Sequence, residues 1–589
     1  MRISTGGLME NKDYVSVLIG KDPDFDAWFT AFFLKNHIDP FAYPSKVGSK
    51  EQVEFMVFPE EGERYYPCSD KMFTAIMSRK YTAFLKQRYK QVYQKIMAMI
   101  DELIDSEYDK QYLKTLIDIK YDDEISAGLL IPSRLEKRLH KIFLSRTHIE
   151  NPYAREKETV NQNAKRFLES EILKKALNQV DESLQLSPDI TLVHLREKIK
   201  EIEFVRRITL LTQSRTWTQE NQKLPSLNRI KKIFNTPIMG DGLSPLISLM
   251  KAKKQKILWL ADESSDIVID LSIAEFLAEL GHIVILAVKE SPFFKKVCLA
   301  DTRTDPVLIR ELENAHYIYE KTISKNKLVN LLKHDKNLYV ISDGTRETLN
   351  LLLVSTTFSR IFKEVDCVIS RGRSQKKRLI DSHFRFTQNI INISVMKKSL
   401  LITYKPRHGA VIKFSHQALE EKANRIIDQM KSAKGKGMTV MFYSGIIGSI
   451  PGKIDVAKKI MSTFIDYLEK QSANLFIINP SLYYEPGMDA DDLMYMWEIV
   501  QRSSYIDIWR FQTSDDIAET FALLNQKVPP EWIGKDSTYS TGCTKEIRIA
   551  QEVQKENPEM QLIAPSIDKF MRRNEYGVGS MYDRRLADF

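Results

Sequence analysis

From about residue 254 the chain alternates short β-branched runs with amphipathic stretches: KILWLAD, then DLSIAEFLAELG, then HIVILAVKE. That alternation predicts a parallel sheet covered by helices, because strands buried on both faces read as continuous apolar runs while their crossover helices keep one polar face. NLYVISDG, VDCVISRG and SLLITY are further predicted strands. Upstream, from about 70 to 200, apolar residues recur at three- and four-residue spacing between charges, as in YTAFLKQRYKQVYQKIMAMIDELI, which predicts helices. Within it, Pro152 is placed to start a helix that Asn151 could cap. Residues 212 to 249, with Pro225, Pro237 and Pro245, read as a long irregular connection.

A polar, glycine-bearing stretch, QMKSAKGKGM, precedes a second alternating series that begins at TVMFYSG and ends at MQLIAP. The expected fold class is therefore α/β: a mainly helical N-terminal region over 1–211, a core over 212–435 with a mostly parallel central sheet flanked by helices, and a second α/β module over 436–589. A length of 589 residues is consistent with several domains.

The 87 basic and 78 acidic residues leave a formal charge of +9, interleaved along the chain, so nucleic acid is not indicated. Cys68, Cys298, Cys367 and Cys543 have neither zinc-site spacing nor the density of a disulfide scaffold, which suits a reducing, cytoplasmic location. The start, MRISTGGLMENKDYVSVLIG, lacks a signal-peptide pattern, and the longest apolar stretch is broken by Glu275, Glu279 and His282, so no membrane segment is expected.

Three separated stretches together resemble the damage-control phosphatase family, also called the acidic-residue-methyltransferase-like family. NPYAREKETVN is similar to its Asp-Pro-Tyr, Lys, Asn pattern: Pro152, Tyr153, Lys157 and Asn161 match, and Asn151 replaces Asp. LADESSDIVIDLSIAEFLAELG through VILAVKESPFFKKVCLAD is similar to its strand, Asp-Asn-x-Gly-Glu turn, helix, strand and Lys-x-x-Pro-x-x-Asn-Asp turn. VDCVISRGRSQKKRL is similar to its strand ending in Lys-Gly. The resemblance covers roughly residues 70 to 430 and implies a divalent metal, such as manganese, cobalt, nickel or magnesium, that polarises a phosphoryl group on a small phosphorylated metabolite and supplies an activated water.

The loops at the carboxyl ends of the strands are where such a sheet holds its ligand. The resemblance puts Asp262 and Glu263 at the metal, with Asp266 and Asp301 as further candidates, and Arg371 and Gly372 at the phosphate. Asp262 and Asp266 equally suit a helix cap and first turn. Lys289 and Pro292 match, whereas Lys295 and Lys296 stand where the family has Asn-Asp. A protonated ammonium has no lone pair and cannot replace a carboxylate at a cation. These two lysines therefore either serve the phosphate site, with Lys296 pairing with Asp262 or Glu263 and placing positive charge near the vacated metal position, or are solvated loop charges, and Asp343 and Gly344 add an acid and a close-approach backbone.

In the C-terminal module, FYSGIIGSIPGK is a glycine-rich turn without Walker spacing. Cys543 reads as structural, and Asp489, Asp491 and Asp492 read either as first-turn acids or as ligands. Two functions follow: a divergent metal-dependent phosphatase, or a pseudoenzyme that binds a phosphorylated ligand or protein partner with no metal. A homo-oligomer is compatible with either.

Overall fold

A computed structural model describes residues 20–60, 62–179, 191–216, 224–261, 264–333, 336–396, 399–450 and 452–570. The chain divides into two compact units, the first running to His408 and the second comprising residues 409–589 with the short segments 41–45 and 324–330.

The first unit contains β1 (Val57–Phe58), β2 (Ile238–Met239), β3 (Lys256–Leu260), β4 (Ile283–Val288), β5 (His316–Ile318), β6 (Leu338–Ser342), β7 (Cys367–Arg371), β8 (Arg385–Phe386), β9 (Asn389–Met396) and β10 (Ser399–Lys405). Eight of these form one sheet in the order β2-β10-β9-β7-β3-β4-β6-β5, parallel except for the β9/β10 pair. The five runs predicted as strands are β3, β4, β6, β7 and β10. All six residues of β4 are buried, as expected of a strand covered on both faces. The helix Ser264–Glu279 packs Ile267, Ile269, Ile273 and Leu277 into a core shared with Trp259 and Leu286. Gly281 then turns the chain at φ +91° into β4, so the longest apolar stretch is a helix, a turn and a strand.

The upstream region is helical as predicted, with long helices at Ala83–Leu103, Glu107–Ile125 and Pro132–Thr147. Two expectations are corrected. Residues 212 to 249 are not simply irregular, since Leu227–Phe234 and Leu243–Lys251 are helices that bury Ile230, Ile233, Leu246 and Met250. The helix after Pro152 runs from Ala154 to Leu168 with Tyr153 at its N-cap and no side-chain cap, and Asn151 instead donates its amide N–H to Asp301.

The second unit has β11 (Thr439–Ser444), β12 (Leu475–Ile478), β13 (Ile508–Phe511) and β14 (Gln561–Ile563), all parallel, in the order β12-β11-β13-β14. Asp489 and Asp492 form a reciprocal capping box on the helix Ala490–Gln501, and Asp492 also pairs with the buried Lys325 ammonium. These aspartates are helix-terminal acids. Cys543 is buried with its thiol donating to the Gly445 carbonyl at 3.3 Å, in keeping with a structural role. Among the described residues no helix is long and apolar enough to cross a membrane.

Candidate functional site

Strand order places the site. The chain leaves β3 for β4 on one side and returns to it through β7 on the other, so the loops after β3 and β7 diverge and leave a crevice at their carboxyl ends. Asp262 and Glu263 follow β3 and lie outside the described residues. The flanks of the crevice are described and tightly tied. Gln375 accepts the Arg371 N–H at 3.3 Å and donates to the Ala261 carbonyl at 3.4 Å, joining the two loops. Asn392 on β9 donates to the Ser370 hydroxyl at 2.9 Å and to the Gly372 carbonyl at 3.2 Å. Gly372 takes φ +82°, a turn that sends the chain directly into the helix Gly372–Leu379.

Arg371 lies within these ties. Its Nε donates to Asp270 Oδ1 at 2.8 Å, Nη1 to the Ile393 carbonyl at 3.0 Å, and Nη2 stands 3.4 Å from Asp266 Oδ2. Asp266 and Asp270 are one turn apart on the helix that begins at Ser264, so one guanidinium spans both. Burial of this pair is offset by the charge match and by the backbone acceptor.

The loop after β4 packs against the helix Ala154–Leu168. Lys157 donates to Asp301 Oδ2 and to the Lys296 carbonyl, each at 2.8 Å, while Asn151 donates to the other Asp301 oxygen at 2.8 Å. Asn161 donates to Asp305 at 2.8 Å. Two of the three resembling stretches are thus bonded residue to residue. Lys295 reaches outward to Glu156 at 2.6 Å and lies over the Tyr153 ring. Deeper in, Lys289 pairs with Asp343 and donates to the Thr345 hydroxyl at 3.1 Å. Burial pushes the Asp343 carboxyl up, with Lys289 and Thr345 pulling against it. Gly344 follows at φ +79°, and a Cβ there would sit 2.6 Å from the Ser355 nitrogen, so only glycine fits.

A divalent cation needs several oxygen or nitrogen donors converging on one point. Among the described residues no group of three or more His, Cys, Asp or Glu is so arranged. The carboxylates of Asp266, Asp270, Asp301 and Asp343 each face an arginine or lysine of the chain itself. The described donors therefore do not fit the metal that the resemblance implies.

Beside β7 lies a recess of about 250 Å³, lined by Arg88, Lys95, Glu136, Ser374, Lys377 and Arg378 among others. Lys95 pairs with Glu136 at 2.7 Å, and Arg378 donates to the Ser133 hydroxyl at 2.8 Å and to the Leu349 carbonyl. Desolvation and the positive charges of Arg88 and Arg373 push the Lys377 ammonium below its usual value. Sequence reasoning missed Arg88 and Lys95. Their seven-residue spacing, which puts both on one face of the helix Ala83–Leu103, was the available signal.

Residues 72–411 match the family described as damage-control phosphatase ARMT1-like domain. Among solved structures, the crystal structure of a DUF89 family protein from Pyrococcus horikoshii is 16% identical, with a TM-score of 0.37, the similarity covering 54% of this chain and 96% of that one. No curated protein matches.

Proposed function

The chain belongs to the damage-control phosphatase ARMT1-like family, and from that premise we propose that its first unit binds a small phosphorylated metabolite in the recess beside β7. The observation that carries this reading is the cationic lining: Arg88, Lys95, Lys377 and Arg378 against the one carboxylate of Glu136. Guanidinium and ammonium groups held at the rim of a small cleft focus positive potential there, and a phosphate monoester carries the matching charge and acceptors. A volume near 250 Å³ suits a ligand of sugar-phosphate size.

In this reading the work of the described residues is binding and positioning. Arg88 and Lys377 contact the phosphate, Arg378 is fixed by Ser133 and Leu349 and holds the recess wall, and Ser374 supplies a hydroxyl at the edge. Arg371 anchors the β7 turn through Asp270. The site is that of a binding protein descended from phosphatases. Hydrolysis is the second reading, favoured by Asp262, which matches the family's first metal-ligating Asp directly after β3, with Glu263 in place of the neighbouring Asn still an oxygen donor. A reducing, cytoplasmic setting fits four buried free thiols.

Titration calorimetry of the full chain with a hexose monophosphate and with the unphosphorylated hexose tests the proposal. The phosphate ester binds and the sugar does not, and Arg88→Ala with Lys377→Ala weakens binding by about tenfold or more. Equal binding of the two compounds overturns it. Phosphate release in the presence of manganese or cobalt that is lost in Asp262→Ala would establish the second reading instead of simple binding.

A further inference from the structure

Apart from the recess beside β7, the first unit has a cavity of about 940 Å³ between the helical region and the loops that follow β4 and β6. Its lining holds eight lysines and arginines and two glutamates. Both glutamates are buried and already answered. Glu124 has Lys35 at 3.2 Å, Lys120 at 2.9 Å and the Arg138 guanidinium beside it. Glu347 has Arg134 and, at 3.3 Å, Lys137. Five cations thus surround two anions. Lys46, Lys141 and Arg346 add three more positive charges at the rim.

A fold does not gather this excess of positive charge for stability. Like charges in one concavity repel, and the Lys137 ammonium there is pushed down mainly by burial, with Glu347 opposing and Arg134 adding to the fall. The floor adds a polar group: His140 is 2% exposed, packs against Phe294, and has no hydrogen-bond partner for its ring Nε2 among the described residues. Burial and the nearby Lys95 and Lys157 lower His140 to about 4, so the ring is neutral at neutral pH. Its buried nitrogen is an unmet hydrogen-bonding demand in the cavity wall.

We propose that this cavity is a second, separate anion site that takes a ligand bearing a chain of phosphoryl groups, an inorganic polyphosphate or the triphosphate of a nucleotide. A single phosphate monoester does not match the excess charge, whereas three linked phosphoryl groups do. Arg346, Lys46 and Lys141 at the rim offer donors to successive phosphoryl oxygens, while Arg134 and Arg138, bonded to Glu347 and Glu124 and to the Asn36 and Lys35 carbonyls, add positive charge behind them. The volume exceeds that of a triphosphate and leaves room for an attached nucleoside, so the lining chemistry identifies the shared phosphoryl chain. Thr345 lines this cavity and also accepts the Lys289 hydrogen bond, so its occupant would touch the same loop that carries Asp343.

The probes are tripolyphosphate, ATP and orthophosphate, titrated into the full chain at low and at raised salt. Tripolyphosphate binds at least tenfold more tightly than orthophosphate, and the affinity falls as salt rises. Equal affinity for tripolyphosphate and ATP identifies the phosphoryl chain as the recognised group, and tighter ATP binding identifies a nucleotide. Lys141→Glu with Arg346→Glu weakens binding about tenfold, and Lys46→Glu, an exposed rim position on another segment, weakens it separately. Tripolyphosphate binding persists when the recess beside β7 is saturated with hexose monophosphate, which separates the two sites. Tripolyphosphate binding no tighter than orthophosphate, or insensitive to both rim variants while their circular dichroism matches the parent, overturns the proposal.

Discussion

Arg371 at the end of β7 and Asp270 in the middle of the helix Ser264–Glu279, which follows β3, meet at 2.8 Å with side chains 1% and 0% exposed. The pair fastens the crevice between β3 and β7 from below, and the guanidinium is held there by three partners. Arg371→Met leaves Asp270 buried beside an apolar chain, and loss of one partner from a buried pair costs about 3–5 kcal/mol. Urea unfolding followed by tryptophan fluorescence should show that loss as a lower midpoint at unchanged slope. The combined change Arg371→Met with Asp270→Leu should recover much of it.

Lys157 and Asp301 make a second test, by a double-mutant cycle. Lys157→Met strands Asp301, Asp301→Asn strands Lys157, and each should destabilise by about 3 kcal/mol. The double variant should fall well short of their sum, with a coupling of about 1–3 kcal/mol. Additive losses in thermal unfolding would show that the two side chains do not interact.

His383 gives the first unit a pH-dependent stability. Its Nδ1 is 2.8 Å from Asp70 and its Nε2 2.8 Å from Glu63. Burial alone would lower its pKa, but the hydrogen bonds and charges of Asp70 and Glu63 outweigh it and the net shift is upward. A raised folded pKa means the contribution is complete below the unfolded value, about 6.5, and is lost as pH rises through the folded value. Glu63 is shifted down, burial opposing but His383 prevailing, so its contribution is lost as pH falls below the ordinary carboxylate range. The melting temperature should decline above neutrality, and His383→Gln should flatten that decline.

The four cysteines should be inert in the native state. All are buried and burial pushes every thiol up, Cys298 to about 11 and Cys367 to about 12, with Cys68 and Cys543 also raised. The thiolate is the reactive form. Disulfide-exchange reagent at pH 8 should therefore label none until denaturant is added, and then all four.

The sheet was legible wherever strands are continuous apolar runs. β5 and β9 are not such runs. β5 has three residues at the sheet edge, and β9, NIINISVM, carries Asn392 and Ser394, which look solvated but are fully buried because Asn392 donates to the β7 turn. The helix Leu227–Phe234 was hidden by surrounding prolines, although its apolar residues at 230 and 233 have helical spacing. Of the site, the residues of the three stretches were legible and their partnerships were not. Lys157 and Asp301 are 144 positions apart, and no local pattern says that one answers the other. Asp262 and Glu263, the central metal candidates, lie outside the described residues.

Among the described residues, three buried acids around the crevice carry a counter-ion within the chain: Asp270 with Arg371, Asp301 with Lys157, Asp343 with Lys289. Such pairs constrain how the sequence can drift. A lone change at either member leaves a buried charge without its opposite, so viable relatives should alter both members together or neither. Those three couples should then vary jointly across relatives, while Lys295 and Glu156, half-exposed at the rim, should be free to change one at a time.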